Sequence, residues 1–322
     1  MFTNLKLLSR IKLKNIPPNF AQYLVNNNFL EQSFFHPKYS KYKKCCQDKL
    51  PDISSNDAEI VNKLNKNGIY ITSLSSLNID NTTEFVNAVN KLMEELTERT
   101  KKDKVSFAVK SNLEQLIKYP EIFRWGLEDR LISIAANYIG LPIAYDTFMP
   151  HLSINNGKET ATRRWHIDNE DRKMLKVIIY FNDVDDEDGP FQYMHPEISS
   201  SLLQKVKNKY KFFYHQEIKE LIPASRQDWL KTYTGKAGTV IIVDTAHSYH
   251  RGKPPTKSPR RAVSFGYLSR RPHQPFRAGR NLLSQDELSR LAAELSLEKQ
   301  ACVYWQDSLP PIAKWIPKYS YF

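Results

Sequence analysis

Cysteine and glycine are both scarce in this chain, with three Cys and 10 Gly in 322 residues. Two of the cysteines, Cys45 and Cys46, are neighbours, so there is no even set from which a disulfide framework could be built. No run approaches the roughly 20 apolar residues that a membrane-spanning helix needs. No apolar, cleavable-looking stretch follows Met1 either. These absences lead us to expect a cytoplasmic protein in a reducing environment with no membrane partner. Acidic residues are missing altogether from 251–280, which carries nine Lys/Arg.

What the chain does have is aromatics (17 Tyr, 16 Phe, 5 Trp) and 18 prolines, which mark punctuated loops and strand ends. Its length allows a large core in one elaborated domain or two modest ones. The net charge of +12 is uneven: residues 1–56 hold nine Lys/Arg against three acids, while Asp183 to Asp188 packs five carboxylates into six residues. Lys38-Tyr39-Ser40-Lys41-Tyr42-Lys43-Lys44 interleaves cations and rings as a nucleic-acid surface does, but that composition recurs in ordinary solvated faces. We therefore expect no nucleic-acid partner.

Residues 1–56 read as an irregular lead-in whose apolar islands, Leu5 to Leu8 and Phe20 to Leu30, dock on a main body spanning 57–322. Asp57 to Asn67 has helical spacing, with Gly68 as C-cap and Ile69-Tyr70-Ile71 as a first strand. Asn81 with Glu84 suggests a capping box ahead of a helix through Phe85, Val89, Leu92 and Leu96. Pro120 opens a second amphipathic helix that places Phe123, Leu127, Leu131, Ile134 and Tyr138 inward and stops at Gly140. From Ile143 the texture changes to short apolar runs between Gly, Pro and Asp clusters: Leu175 to Phe181, Thr239 to Val243 and Ala262 to Tyr267 read as strands. Ser199 to Tyr210 and Gln216 to Leu221 read as helical insertions, and Ser284 with Glu287 starts a C-terminal helix. The expected class is α+β: a jelly-roll or cupin-like barrel flanked by N-terminal helices and a C-terminal helix.

Two short pieces carry the chemistry. His166 and Asp168 are two apart, so on an extended segment their side chains leave one face. His250 lies 84 residues beyond His166, in His250-Arg251-Gly252. Each sits at the end of an expected strand, where a barrel mouth would gather them. Two imidazoles and one carboxylate on one side of a metal form the facial triad of non-heme Fe(II) oxygenases. His247, three residues before His250, could supply the second imidazole instead; His151 and His195 have no assigned role beyond lining a pocket or a loop.

These pieces, together with Val177 to Val184, Asp188-Gly189-Pro190-Phe191-Gln192-Tyr193, Gly238 to Thr245 and Arg260-Arg261-Ala262-Val263-Ser264, resemble the phytanoyl-CoA dioxygenase-like group of Fe(II)/2-oxoglutarate-dependent oxygenases over about residues 57–270. The resemblance implies a double-stranded β-helix, Fe(II) on His166, Asp168 and His250, 2-oxoglutarate as co-substrate, and O₂. It implies hydroxylation of an unactivated C–H with release of succinate and CO₂. Because an aspartate stands where related halogenases have a small residue, a hydroxylase is implied rather than a halogenase. The resemblance also implies an arginine clamp for the far carboxylate of 2-oxoglutarate. Arg260 shares strand phase with the small residues Ala262, Ser264 and Gly266. Arg261 shares it with Val263, Phe265 and Tyr267, so Arg260 is favoured. Tyr180 and Gln192 are further candidates for the co-substrate pocket. The substrate would be a small or medium organic molecule. The acid-free basic run allows an anionic one, or one tethered to CoA or a carrier protein. A divalent-metal hydrolase or isomerase on the same barrel, and a non-catalytic metal-binding protein, are the competing readings.

Overall fold

The computed structural model describes residues 16–100, 106–206, 211–279 and 283–316. Its strands are β1 (Ile69–Ser73), β2 (Ala108–Lys110), β3 (Ile143–Ser153), β4 (Leu175–Tyr180), β5 (Phe191–Met194), β6 (Leu230–Tyr233), β7 (Thr239–Asp244), β8 (His250–Gly252) and β9 (Arg260–Ser269). Six form one sheet in the order β1-β7-β4-β9-β3-β2, and three form a second in the order β6-β5-β8. Every pairing is antiparallel. The ladders establish a mixed α/β architecture with two antiparallel sheets.

The apolar runs of β4 and β7 do not alternate with polar residues because both faces of the large sheet are covered. Val177, Ile179, Val240, Ile242, Val263, Phe265 and Tyr267 face a helical layer in the main core. Ile178, Tyr180, Ile241, Val243 and Ala262 face the small sheet and meet Phe191 and Tyr193 of β5 there. Each such aliphatic side chain removed from water contributes roughly 1.5–3 kcal/mol. The outer face of the small sheet is covered by the helices Pro196–Lys205 and His215–Leu221, around Trp165, Met194, Ile198, Phe213 and Tyr249. The second sequence-predicted insertion is therefore found; of the first, residues 207–210 lie outside the described residues.

Several local expectations hold. The helix Ser55–Asn67 is capped by Ser54 and ends on Gly68 at φ 72, and β1 follows at once. Glycine is required there twice over, since a Cβ at residue 68 would also fall 2.1 Å from the Tyr193 hydroxyl. Ser284 and Glu287 form the expected capping box of the helix Gln285–Ala292.

Other expectations are corrected. The helix opened by Pro120 is two helices, Pro120–Trp125 and Asp129–Ile139. The break falls at Gly126, against which the strand aromatics press: its carbonyl accepts a 2.6 Å bond from the Tyr267 hydroxyl, and a Cβ there would meet the Tyr145 hydroxyl at 2.3 Å. Asn81 does not cap the helix Thr82–Thr100. It sits at φ 57 and its amide donates to Glu128 instead.

The lead-in is helical rather than irregular over Ile16–Val25 and His36–Cys46. Leu5 to Leu8 lie outside the described residues, and Phe20 and Phe29 are exposed. Polar groups make much of the contact instead: Glu31 accepts two bonds from Arg172, at 2.8 and 2.9 Å, and Arg277 donates to Gln22. Tyr39 and Tyr42 of the basic stretch turn inward beneath Arg172 and Arg271, so these rings are not presented for base stacking. Among the described residues no helix is long and apolar enough to cross a membrane.

Candidate metal centre

His166 and His250 face each other across a β-bridge that extends the small sheet. Each backbone N–H donates to the other's carbonyl, at 3.1 and 3.0 Å, which places both side chains on one face with ring centroids 4.4 Å apart. Two residues on, the Asp168 backbone is held to Thr245 by a 3.0 Å bond. The carboxylate thereby comes to 4.0 Å from His166 Nε2 through Oδ1 and to 3.7 Å from His250 Nε2 through Oδ2. All three ligand atoms lie within 4.8 Å of one another, and all three residues are buried. No other group of three His, Cys, Asp or Glu side chains with this geometry is found among the described residues.

The two imidazoles could hold a metal ion together with Asp168. His166 Nδ1 is 2.8 Å from the Arg164 carbonyl and His250 Nδ1 is 3.0 Å from the Ser248 carbonyl. A carbonyl only accepts, so each Nδ1 carries a proton, which in the neutral ring leaves Nε2, the nitrogen nearer Asp168, with the lone pair. Burial, helped by His166 and Lys176, pushes the His250 pKa down to about 3, which keeps the ring neutral as a ligand must be. Metal–ligand bonds of about 2.0–2.2 Å would require only short inward movements of these side chains. On the carboxylate, Lys176 Nζ bonds Asp168 Oδ2, an outer partner of the kind that orients a metal-binding acid. Lys176 escaped the sequence reading, although it is a lone charge in the apolar strand β4, in phase with Ile178 and Tyr180.

His247 is turned elsewhere. Its Nδ1 bonds Asp244 Oδ2 at 2.7 Å, and that carboxylate also takes the Tyr138 hydroxyl and the Ala246 amide. The Asp244 bond raises the pKa of His247. His151 lies opposite Ala262 on the face of β3 that looks toward the small sheet, and burial together with Arg260 pushes its pKa down to about 3. His195 precedes the helix Pro196–Lys205.

The strand phase separates the two arginines. Arg260 emerges between the sheets beside Ala262, where Nη1 donates to the Gly189 carbonyl while the buried Nε has no hydrogen-bond partner. Arg261 emerges on the helical side, its Nη2 3.3 Å from Thr97 Oγ1, and so is remote from the site face. Gly189 is fixed by the acid cluster ahead of it: Asp185 and Asp188 cap a turn, Gly189 completes it at φ 77, and Asp188 accepts the Ser258 amide at 3.1 Å.

Tyr180 is buried near Arg260, but its hydroxyl donates to the Tyr233 carbonyl at 2.9 Å and accepts the Phe191 amide at 2.8 Å. It holds the sheets together rather than offering a ligand contact. Gln192 is misplaced in the sequence reading. It alternates with Phe191 and Tyr193, so it points to the outer face, where it accepts from Arg251 Nε at 2.8 Å and donates to Thr232 at 3.0 Å. Arg251 itself is closed by Glu159 at 2.7 Å. The basic run is likewise dispersed: Lys253 pairs with Asp186, Arg270 reaches the Ile143 carbonyl at 3.1 Å, and Arg277 reaches Gln22. Among the described residues, these cations are engaged by separate partners.

No protein-family model matches the chain, and no curated protein does. Among solved structures it is similar to the non-heme α-ketoglutarate-dependent epimerase SnoN from nogalamycin biosynthesis, at 16% identity and a TM-score of 0.43, over 67% of this chain and 84% of that one. It is similar to EctD from S. alaskensis with 2-oxoglutarate and 5-hydroxyectoine, at 16% identity and a TM-score of 0.45, over 67% and 76%. It is also similar to HygX from Streptomyces hygroscopicus with nickel, 2-oxoglutarate and hygromycin B, at 14% identity and a TM-score of 0.43, over 67% and 88%. These are partial likenesses; what bears on chemistry is the side-chain geometry of this chain.

Proposed function

We propose that this chain is an Fe(II)- and 2-oxoglutarate-dependent oxygenase of small organic molecules, with residues 57–322 forming one jelly-roll domain. His166, Asp168 and His250 are the metal ligands, and Arg260 is the clamp for the far carboxylate of 2-oxoglutarate. The observation that carries this reading is the convergence of two imidazoles and a carboxylate in one sheet-lined site that also holds a buried guanidinium whose Nε has no partner among the described residues. Two imidazoles and one acid leave metal positions open for a chelating keto acid and O₂.

The spacing suits that co-substrate. Gly252 lies two residues beyond His250 on β8, about 6.6 Å of strand rise. The Arg260 guanidinium lies against that glycine. A dicarboxylate chelating the metal at one end would thus reach a planar, bidentate donor at the other. Hydrolytic zinc chemistry has no use for such a clamp.

Fe(II) held by these residues would let O₂ act as the oxidant, with two electrons drawn from 2-oxoglutarate as it becomes succinate and CO₂ and two from the C–H bond of the substrate. The chain's own residues do the positioning. The Arg164 and Ser248 carbonyls hold the imidazole tautomers, Lys176 orients Asp168, the Gly189 carbonyl aims Arg260, and the two sheets exclude water from the site. Three free cysteines, two of them buried, suit a reducing cytoplasm.

The test is an anaerobic titration of the full chain with Fe(II) and then 2-oxoglutarate, followed by visible absorption. A metal-to-ligand charge-transfer band that requires both additions supports the reading. Metal binding with no band and no succinate on admitting O₂ would overturn it.

A further inference from the structure

Among the described residues, one guanidinium beside the candidate metal centre has no hydrogen-bond acceptor. Arg164 and His166 flank Trp165, whose indole turns into the helix-covered cluster, so the flanking side chains share the opposite face, that of the metal ligands. Across the bridge from Trp165 stands Phe213, also in that cluster, so Phe212 and Tyr214 return to the same face as Arg164. The arginine Cζ lies 5.1 Å from the Phe212 ring centre and 5.4 Å from that of Tyr214. Phe212 in turn stacks on the ligand imidazole of His166, at 5.2 Å and 16°.

Both rings stand open, Phe212 at 44% and Tyr214 at 48% exposure, against 6% for His166. The guanidinium between them makes no ion pair or side-chain hydrogen bond among the described residues, and its Nε is buried with no partner. The contrast lies in the hydrogen bonds made: the Nη groups of Arg163 are bonded to Asn156 at 2.7 Å and Ser153 at 2.9 Å, and Arg251 is bonded to Gln192 and Glu159. A cation held over ring faces keeps its in-plane donors pointing outward, where an oxyanion can be taken bidentately. A flat apolar body next to that anion would lie on the open rings.

We propose that Arg164, framed by Phe212 and Tyr214, is the substrate-recognition site, and that the substrate is a small acid carrying its negative charge on a flat, apolar or aromatic body. This rests on the oxygenase reading for the placement of the oxidised carbon near His166, but the binding site stands on its own geometry. It is separate from the Arg260 seat, which lies between the sheets.

The experiment uses the full chain loaded with Ni(II) and 2-oxoglutarate, which cannot turn over, and titrates 2-naphthoate against its neutral isostere 2-naphthamide by calorimetry. The acid is expected to bind at least about tenfold more tightly, the worth of one charge-assisted pair. Arg164→Gln should bring the two affinities within about twofold, Arg164→Lys should restore part of the preference, and Phe212→Ala should weaken both probes alike. Equal binding of acid and amide by the unsubstituted protein, or a preference that survives Arg164→Gln, would overturn the proposal. So would displacement of the acid by excess 2-oxoglutarate, since the anion seat would then be that of the keto acid. The Fe(II)–2-oxoglutarate band, recorded on Arg164→Gln, keeps the two readings apart. A retained band with lost discrimination supports this site, whereas a band absent from every variant counts against the oxygenase alone.

Discussion

The guanidinium of Arg260 lies against the backbone of Gly252, so closely that a Cβ on residue 252 would fall 2.6 Å from Nη2. The glycine after His250-Arg251 is therefore a packing partner of an arginine eight residues downstream, so the two motifs meet in space.

Gly252→Ala should displace that guanidinium while leaving the fold intact, because the atom it meets is the far end of a flexible side chain. The apparent affinity for 2-oxoglutarate is expected to fall about tenfold or more, with Fe(II) affinity little changed. Titration of the charge-transfer band checks it; an unaltered 2-oxoglutarate affinity would place the clamp elsewhere.

The two neighbouring arginines should differ sharply. Arg260→Gln is expected to raise the KM for 2-oxoglutarate by at least about tenfold, whereas Arg261→Gln, which faces Thr97 across the helical side, should leave it within about twofold. Succinate formation at varied 2-oxoglutarate distinguishes them, and equal effects would contradict the strand phase.

Asp168→Ala should abolish turnover by weakening iron binding, and it should also strand the Lys176 ammonium, now bonded to that carboxylate. A loss of roughly 1–3 kcal/mol in metal-free stability is expected from the unpartnered group. Urea unfolding in the presence of a chelator measures it, and Lys176→Met in the same background should recover part of the loss.

A pH effect follows from Glu95. Its carboxylate accepts hydrogen bonds from Lys118, Tyr119 and Gln115, which hold its pKa down at about 2 against an ordinary value of 4.5. A carboxylate depressed on folding contributes stability that is present in full above its unfolded pKa and lost as pH falls through its folded one. The contribution should therefore fade between about pH 4.5 and about pH 2. Glu95→Gln is expected to flatten that part of the stability–pH curve, as measured by urea midpoints across the range.

Much of the site was legible in the order of residues. The spacing of two between His166 and Asp168 fixes a shared face on any extended segment, and the alternation along Arg260 to Tyr267 separates a small-residue face from an aromatic one. Gln192 was not legible in the same way. Alternation says only that it opposes Phe191 and Tyr193, and which of those faces meets the other sheet depends on packing that a single strand does not encode. Lys176 was visible as an anomaly, but its partner was not, since Asp168 reaches it from outside the ladder.

By itself the sequence determined local periodicities: the strong apolar runs that become β4, β7 and β9, the helix stops at Gly68 and Gly140, and which neighbouring side chains share a face. These follow from backbone sterics and burial pattern within a few residues. Only the tertiary structure decided which faces meet. The bridge between His166 and His250, the seating of Arg260 on Gly252, and the framing of Arg164 by Phe212 and Tyr214 join segments far apart in the chain. Such contacts form only when two sheets bury their inner faces together, a condition of the whole core rather than of any one stretch.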